Sequence, residues 1–405
     1  MTFSDLQAAV LDHDLCTRCG ACVAVCPAKV IDMADDDFLP LFATDPAAAG
    51  HVCGTCSLCL DVCPGRETGV NTSEVRRFGR AREDAERWTG ISRGVFEVVS
   101  CDEGILEHAS AGGAVTSLLI AALRGGVIDA ALVVEHDAEH PWRSLATLTD
   151  SEATIIRSAA AKYSFAPNLP LIADAPFRRI GVVGLPCQIE AINKMCNLDQ
   201  APDAARSIAL TIELACASAT LPAGTRHVIE ERLGVDVDEV SSLRYRGGDY
   251  PGTFHVRTRD GADHYYPFFE MVKDFTRFKT FRCEACPDWW SGLADISVAD
   301  GDPNIFATSR RGITGRPRST VVVRTELGER LLNEAGDQGL VKAVTSTFDA
   351  AQSLGLQRKR NRYNRIAQSA TRLIPSAPAV DTPTGRWKRD EDVIAEMSEQ
   401  RSTAG

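Results

Sequence analysis

Short apolar blocks separated by polar and turn-forming residues dominate the middle of the chain. Residues 95–99, 128–134, 180–183 and 208–214 are compact apolar runs of strand length, and 112–123 is a longer apolar stretch with helical spacing. Strand and helix alternation of this kind predicts an α/β domain whose sheet is largely parallel. From about residue 241 to 324 the texture shifts toward aromatics and turns, with breaks at 244–248, 251–252 and 265–269, and predicts a more β-like region. Upstream, 72–88 is polar and densely charged and predicts a helical connector. Nearer the start, 30–33 and 38–42 flank the turn 34–37 and read as a short hairpin.

Composition narrows the class. The chain has 405 residues, 24% charged and 44% hydrophobic, enough for two or three domains. The net charge is -11, and residues 1–67 hold ten acids against three bases. Most of this is ordinary solubilising charge, and its sign argues against a nucleic-acid partner. No apolar run approaches the roughly 20 residues of a membrane span. The start carries Asp5, Asp12 and Asp14 and no basic segment, unlike an export signal, so the expectation is a cytoplasmic protein with reduced thiols.

Those thiols are unevenly placed. Of 14 cysteines, eight fall between Cys16 and Cys63. They form two runs, Cys16, Cys19, Cys22, Cys26-Pro27 and Cys53, Cys56, Cys59, Cys63-Pro64, each with the C-x2-C-x2-C-x3-C-P spacing of bacterial-type ferredoxins. Three closely spaced thiolates hold one cubane, and the fourth points to the neighbouring cluster. Resemblance to two-cluster ferredoxins implies that Cys16, Cys19, Cys22 and Cys63 serve one 4Fe-4S cluster and Cys53, Cys56, Cys59 and Cys26 the other. Paired zinc sites fit poorly, because zinc motifs lack this doubled triplet.

Six cysteines remain. Cys283 and Cys286 form an isolated C-x2-C that must recruit distant thiols to complete a metal site. Cys187 follows the apolar run 180–183, and Cys216 follows 208–214. If both runs are parallel strands of one sheet, both thiols lie at its carboxyl edge, where α/β proteins place their sites. Cys196 fits worse: nine helical positions of about 100° each put it opposite Cys187 and about 13 Å along the axis. A third cluster on Cys187, Cys216, Cys283 and Cys286 is therefore expected, against an alternative of buried thiols plus a structural zinc.

Further signposts run from about 94 to 332: Ala109-Ser-Ala-Gly-Gly-Ala-Val-Thr116, Ala161-Lys-Tyr163, Val183-Gly-Leu-Pro-Cys-Gln188, Tyr245-Arg-Gly-Gly248 and Ala294-Asp-Ile-Ser297. In this order they resemble the family of the coenzyme F420 hydrogenase/dehydrogenase β subunit, which includes 7-hydroxymethyl chlorophyll a reductase. The resemblance implies FAD beside a 4Fe-4S cluster. It implies that Ser110, Gly112, Gly113 and Thr116 form a flavin-contacting loop, with Lys162 and Tyr163 near the same cofactor. A Gly-Gly pair opening an apolar helix also suits a phosphate at a helix N-terminus. The expected fold class is a small ferredoxin unit (α+β) followed by a flavin-binding α/β domain. The expected divisions are 1–68, the connector 69–92, two parts at 93–200 and 201–350, and a basic helix with a disordered tail at 351–405.

There is no G-x-G-x-x-G for a Rossmann nicotinamide site and no nucleotide-hydrolysis loop. His136 and His140 read as exposed loop residues rather than a metal pair. Between Asp349 and Asp381 there is no acid, while Arg358, Lys359, Arg360, Arg362, Arg365 and Arg372 all occur, which reads as a solvated basic face rather than a docking patch. A flavin converts between hydride and single electrons. The resemblance thus implies an F420-linked oxidoreductase working with ferredoxin or a partner redox subunit. The alternatives are a ferredoxin-dependent reductase of an organic substrate and a relay subunit without a substrate site. No catalytic acid or base is legible.

Overall fold

In the computed structural model of the chain, residues 3–43, 53–54, 56–305, 316–369 and 372–376 are described. The expected disordered tail falls, from 377 onward, outside them. Near the N-terminus each cysteine triplet turns into one helical turn, α1 (Ala21–Ala24) and α2 (Leu58–Asp61). Between them β1 (Ile31–Met33) and β2 (Pro40–Phe42) pair antiparallel as the expected hairpin, with Ile31 opposite Phe42. Phe3, Leu6, Val10, Leu15 and Ile31 pack directly against Cys16 and Cys59. A unit this small cannot bury enough apolar surface on its own, so the sulfur-bearing side chains form part of its core.

The connector helix is shorter and more deeply engaged than its charge predicts. It is α3 (Val70–Phe78) and stops at Gly79, whose φ is 73°. Glu74 is fully buried and accepts from Arg82 Nε at 2.7 Å, while Arg82 Nη2 donates to Ser291 O at 2.9 Å. Arg77 reaches Asp295 at 2.7 Å. These charges are clasps onto the following domain, not a solvated face.

That domain contains β3 (Gly94–Ser100), α4 (Ala114–Arg124), β4 (Ala130–His136), β5 (Ser144–Thr149), β6 (Ile180–Gly184), α5 (Pro186–Cys196) and β7 (Ile208–Leu214). It continues through β8 (Val240–Gly247), β9 (Thr253–Thr258), β10 (Asp263–Pro267), α6 (Phe268–Phe275) and α7 (Phe281–Glu284). β11 (Ile296–Asp300), β12 (Ser319–Val323), α8 (Glu326–Asp337), β13 (Val341–Ser346) and α9 (Leu354–Ser369) complete it. Eight strands form one sheet in the order β13-β3-β12-β11-β7-β6-β4-β5. Its centre, β11-β7-β6-β4, is parallel as expected. The flanking strands β12, β3, β13 and β5 each pair antiparallel with their neighbours, so the whole sheet is mixed. An apolar run reports burial and not direction, which is why the flanks were not legible.

Side chains alternate across the sheet. Ala131 and Val133 face α4 and α8, while Leu132, Ile180 and Val182 face α5. The second face also takes Cys19, Ala21, Ala24 and Val62, so the ferredoxin unit shares a core with the large domain. β6 and β7 pair across residue 200, so that division falls inside one sheet. The β-like region divides: β8, β9 and β10 form a separate antiparallel sheet in the order β10-β9-β8, whose core includes Tyr245, Phe254, Met271 and Phe275, while β11 and β12 belong to the large sheet. The basic helix α9 is solvated on one side only: Arg358 and Arg365 are exposed, but Gln357, Lys359, Arg360 and Tyr363 are buried.

Candidate metal centres and cofactor loop

The eight ferredoxin cysteines divide between two hollows. One is lined by Cys16, Cys19, Cys22 and Cys63 with Leu6, Val10, Thr17 and Met33. The other is lined by Cys26, Cys53, Cys56 and Cys59 with Pro27, Ile31 and Leu58. The fourth cysteine of each run thus stands with the opposite triplet. Burial pushes the Cys16 thiol up to about 12, with Cys63 adding to it, and burial with Cys53 and Cys56 does the same to Cys59. Apolar walls and mutually repelling thiolates suit a group that supplies compensating positive charge. Among the described residues no three His, Cys, Asp or Glu side chains converge closely enough for a single ion. Thiolates that each hold a different corner of a cubane stand further apart than ligands meeting on one metal.

The third set assembles from three places. Cys187 opens α5 directly after β6, and Cys216 follows β7, its parallel neighbour, so both lie at the carboxyl edge. Thr280 caps α7 by accepting from the Cys283 N-H, and Cys286 follows. The four thiols feel one another: Cys283 and Cys286 both raise Cys216, which burial first pushes up to about 11, and Cys216 in turn raises Cys187. Cys101 and Cys196 are exposed and stand apart.

This set lies next to the first hollow. Cys19 is among the groups that raise Cys187. The φ of Gly20 is 81°, and a Cβ there would meet Pro170 Cδ at 2.4 Å, so only glycine allows the approach. Lys194 Nζ donates to Cys63 O at 2.7 Å, and Leu169 N to Cys19 O at 3.2 Å. Arg282 is 2% exposed and spans the join, donating to Gly65 O at 3.1 Å and Pro64 O at 3.2 Å. It faces Glu190 at 4.0 Å, and neither carboxylate oxygen of Glu190 makes a hydrogen bond. Burial, then Asp288, pushes Glu190 well above the usual carboxylate range, and Arg282 pulls it back. Nothing in the sequence marked Arg282, Glu190 or Lys194, because a charged residue on a helix reads as exposed.

The expected flavin residues come together only in part. Ser110 Oγ accepts from Ala161 N at 2.9 Å, tying the loop 109–113 to the segment 158–163. Lys162 Nζ donates to the carbonyls of Ser158, Ala159 and Ala160, and burial pushes it down to about 7. Thr116 is buried in the first turn of α4. Gly112 is wedged against strand backbone: a Cβ would meet Val98 O at 2.3 Å and Ser319 N at 2.6 Å. Gly113 is left-handed at 72°, so both glycines are required by packing whether or not a phosphate lies there. The Tyr163 ring joins the aromatic core, 5.5 Å from Tyr245 and 6.1 Å from Phe268. His136 is not an exposed loop residue. It ends β4, stacks on Tyr245 at 5.9 Å, and is driven down to about 3 by burial first and then by Lys162, with Nδ1 unpartnered. His140 is exposed, as expected.

Residues 95–173 match the N-terminal part, and 177–347 the C-terminal part, of the coenzyme F420 hydrogenase/dehydrogenase β subunit. The chain belongs to this family. Residues 15–67 match a 4Fe-4S dicluster domain, which makes it an iron-sulfur electron-transfer member. It is 27% identical over 68% of its length to the β subunit of a coenzyme F420 hydrogenase of Methanococcus voltae, covering 94% of that protein. With a subunit of the F(420)H(2) dehydrogenase of Methanosarcina mazei it shares 28% identity over 82% of this chain and 85% of the relative. It also resembles 7-hydroxymethyl chlorophyll a reductase of Oryza sativa, 23% identical over 56% of this chain and 47% of that one. In fold it matches a chain of the F420-reducing [NiFe] hydrogenase complex from Methanosarcina barkeri, with TM-score 0.55 at 22% identity, covering 69% of this chain and 91% of that one. No helix among the described residues is long and apolar enough to cross a membrane.

Proposed function

We propose that this protein is an F420-linked oxidoreductase that moves electrons between coenzyme F420 and a ferredoxin or partner redox subunit. In this reading three 4Fe-4S clusters lie in series: one on Cys187, Cys216, Cys283 and Cys286, the next on Cys16, Cys19, Cys22 and Cys63, and the outermost on Cys26, Cys53, Cys56 and Cys59. The observation that carries the reading is the adjacency of the third thiol set to the first hollow, through Cys19, Lys194 and Arg282.

FAD held by Ser110, Gly112, Gly113, Thr116, Lys162 and Tyr163 would supply the exchange between hydride and single electrons. The fit rests on the unpartnered His136 Nδ1 and the cationic Lys162 beside the loop, with Arg244 near enough to act on both. Ser110 orients that loop, and the two glycines bring its backbone against β3 and β12. Lys162 spends its N–H donors on the carbonyls of Ser158, Ala159 and Ala160, which fixes that segment beside the loop.

The test mixes anaerobically purified, FAD-loaded protein with reduced F420 and follows bleaching of cluster absorbance. Bleaching is expected. No bleaching with reduced F420 but bleaching with reduced ferredoxin would move the reading to a ferredoxin-dependent reductase. Clusters without bound flavin would move it to a relay subunit.

A further inference from the structure

α9 lies beyond residue 347, where the family match ends. It carries the acid-free basic run, yet Lys359 and Arg360 are 3% and 5% exposed. Burying such cations is costly unless negative charge or oriented dipoles answer them. Three side chains from one turn of this helix reach the same place. Lys359 Nζ donates to Cys216 O at 2.7 Å, and Arg360 Nη1 to Pro287 O at 3.4 Å. Arg362 donates to Ala217 O and Cys283 O, both at 3.0 Å, and to Glu284 O at 3.1 Å. Every acceptor belongs to the two segments that carry Cys216, Cys283 and Cys286. The helix is seated by Gly355, where a Cβ would meet the Trp289 ring at 2.2 Å, and Trp289 O accepts from Cys216 N at 3.0 Å.

We propose that α9 is a cationic lid, and that Lys359 and Arg362, held over the third thiol set, raise the reduction potential of the 4Fe-4S cluster bound there. The proposal rests on the third-cluster reading above. Reduction adds one electron to the cluster and hence one negative charge, so a fixed buried cation stabilises the reduced form over the oxidised one. Lys359 and Arg362 act as positioning residues for charge and ligate nothing themselves.

The test is an EPR-monitored redox titration of the full-length holoprotein, with the third cluster identified as the signal lost in Cys216→Ala. Lys359→Met is expected to shift its reduction equilibrium about tenfold toward the oxidised form, about 59 mV more negative for one electron. Lys359→Arg keeps the charge and should stay within about twofold, as should Arg365→Gln on the exposed side of the same helix. Arg362→Gln shifts the potential in the same direction and carries the test if Lys359→Met loses its cluster. An unchanged potential in a lysine or arginine variant with full iron content overturns the lid. A wild-type content of about eight irons, with no signal lost in Cys216→Ala, overturns the third cluster and the lid with it.

Discussion

Replacing Arg282 with Met should loosen the ferredoxin unit from the large domain, and the size of the effect follows from what the guanidinium touches. It makes two charge-assisted hydrogen bonds, to Pro64 O and Gly65 O, and is the cation opposite the buried Glu190. Such bonds contribute about 1.5–3 kcal/mol each. Removing one partner of a buried pair costs about 3–5 kcal/mol, which overlaps with the hydrogen bonds rather than adding to them. Glu190 limits the loss, because burial already drives it toward its protonated form and removing Arg282 drives it further. The expected cost for Arg282→Met is therefore about 3–5 kcal/mol. Adding Glu190→Leu removes the stranded carboxyl and should recover about 1–3 kcal/mol, leaving the two lost hydrogen bonds unrepaired. The assay is anaerobic urea unfolding of iron-replete protein followed by tryptophan fluorescence, with the cost read from the midpoint at constant slope. A cost below about 1 kcal/mol for Arg282→Met would refute the reasoning, as would a double variant no more stable than the single one.

Three further outcomes are expected. Cys216→Ala should lower iron from about twelve to about eight per chain while the ferredoxin-type clusters remain, whereas Cys101→Ala and Cys196→Ala should leave the iron count alone. Gly112→Ala forces strand backbone apart at Val98 and Ser319, so the urea midpoint should fall by the equivalent of about 1–3 kcal/mol; an unchanged midpoint would contradict the packing. Lys162 titrates near 7 when folded and near 10.5 when unfolded, so the unfolded chain binds more protons between those values and stability should rise with pH across that window. Lys162→Met should flatten that rise, and equal slopes in the two proteins would count against the buried position.

The cysteine spacing carried the two hollows, and the apolar runs ending just before Cys187 and Cys216 carried the third set, because a strand and its following residue are local facts. Strand direction was not local. β12 runs against the parallel centre and against β3 on its other side, and nothing in 94–100 or 319–323 records a neighbour. Charge misled most. Glu74, Glu190, Arg282 and Lys359 carry no local sign of burial, and their burial exists only because a partner more than five residues away supplies hydrogen bonds or opposite charge. His136 was misread for the same reason, since its cover comes from Tyr245 on the other sheet.

The exchange of Cys26 and Cys63 between the two hollows has a consequence for assembly and damage. Neither hollow has its fourth thiol until both halves of the unit have folded over each other. Loading one centre therefore builds most of the second, and a protein holding one of the pair should be scarce during reconstitution. Oxidation runs the same interlock backwards: losing the outer cluster frees Cys26, slackens α1 and uncovers its partner, so the pair should be lost together.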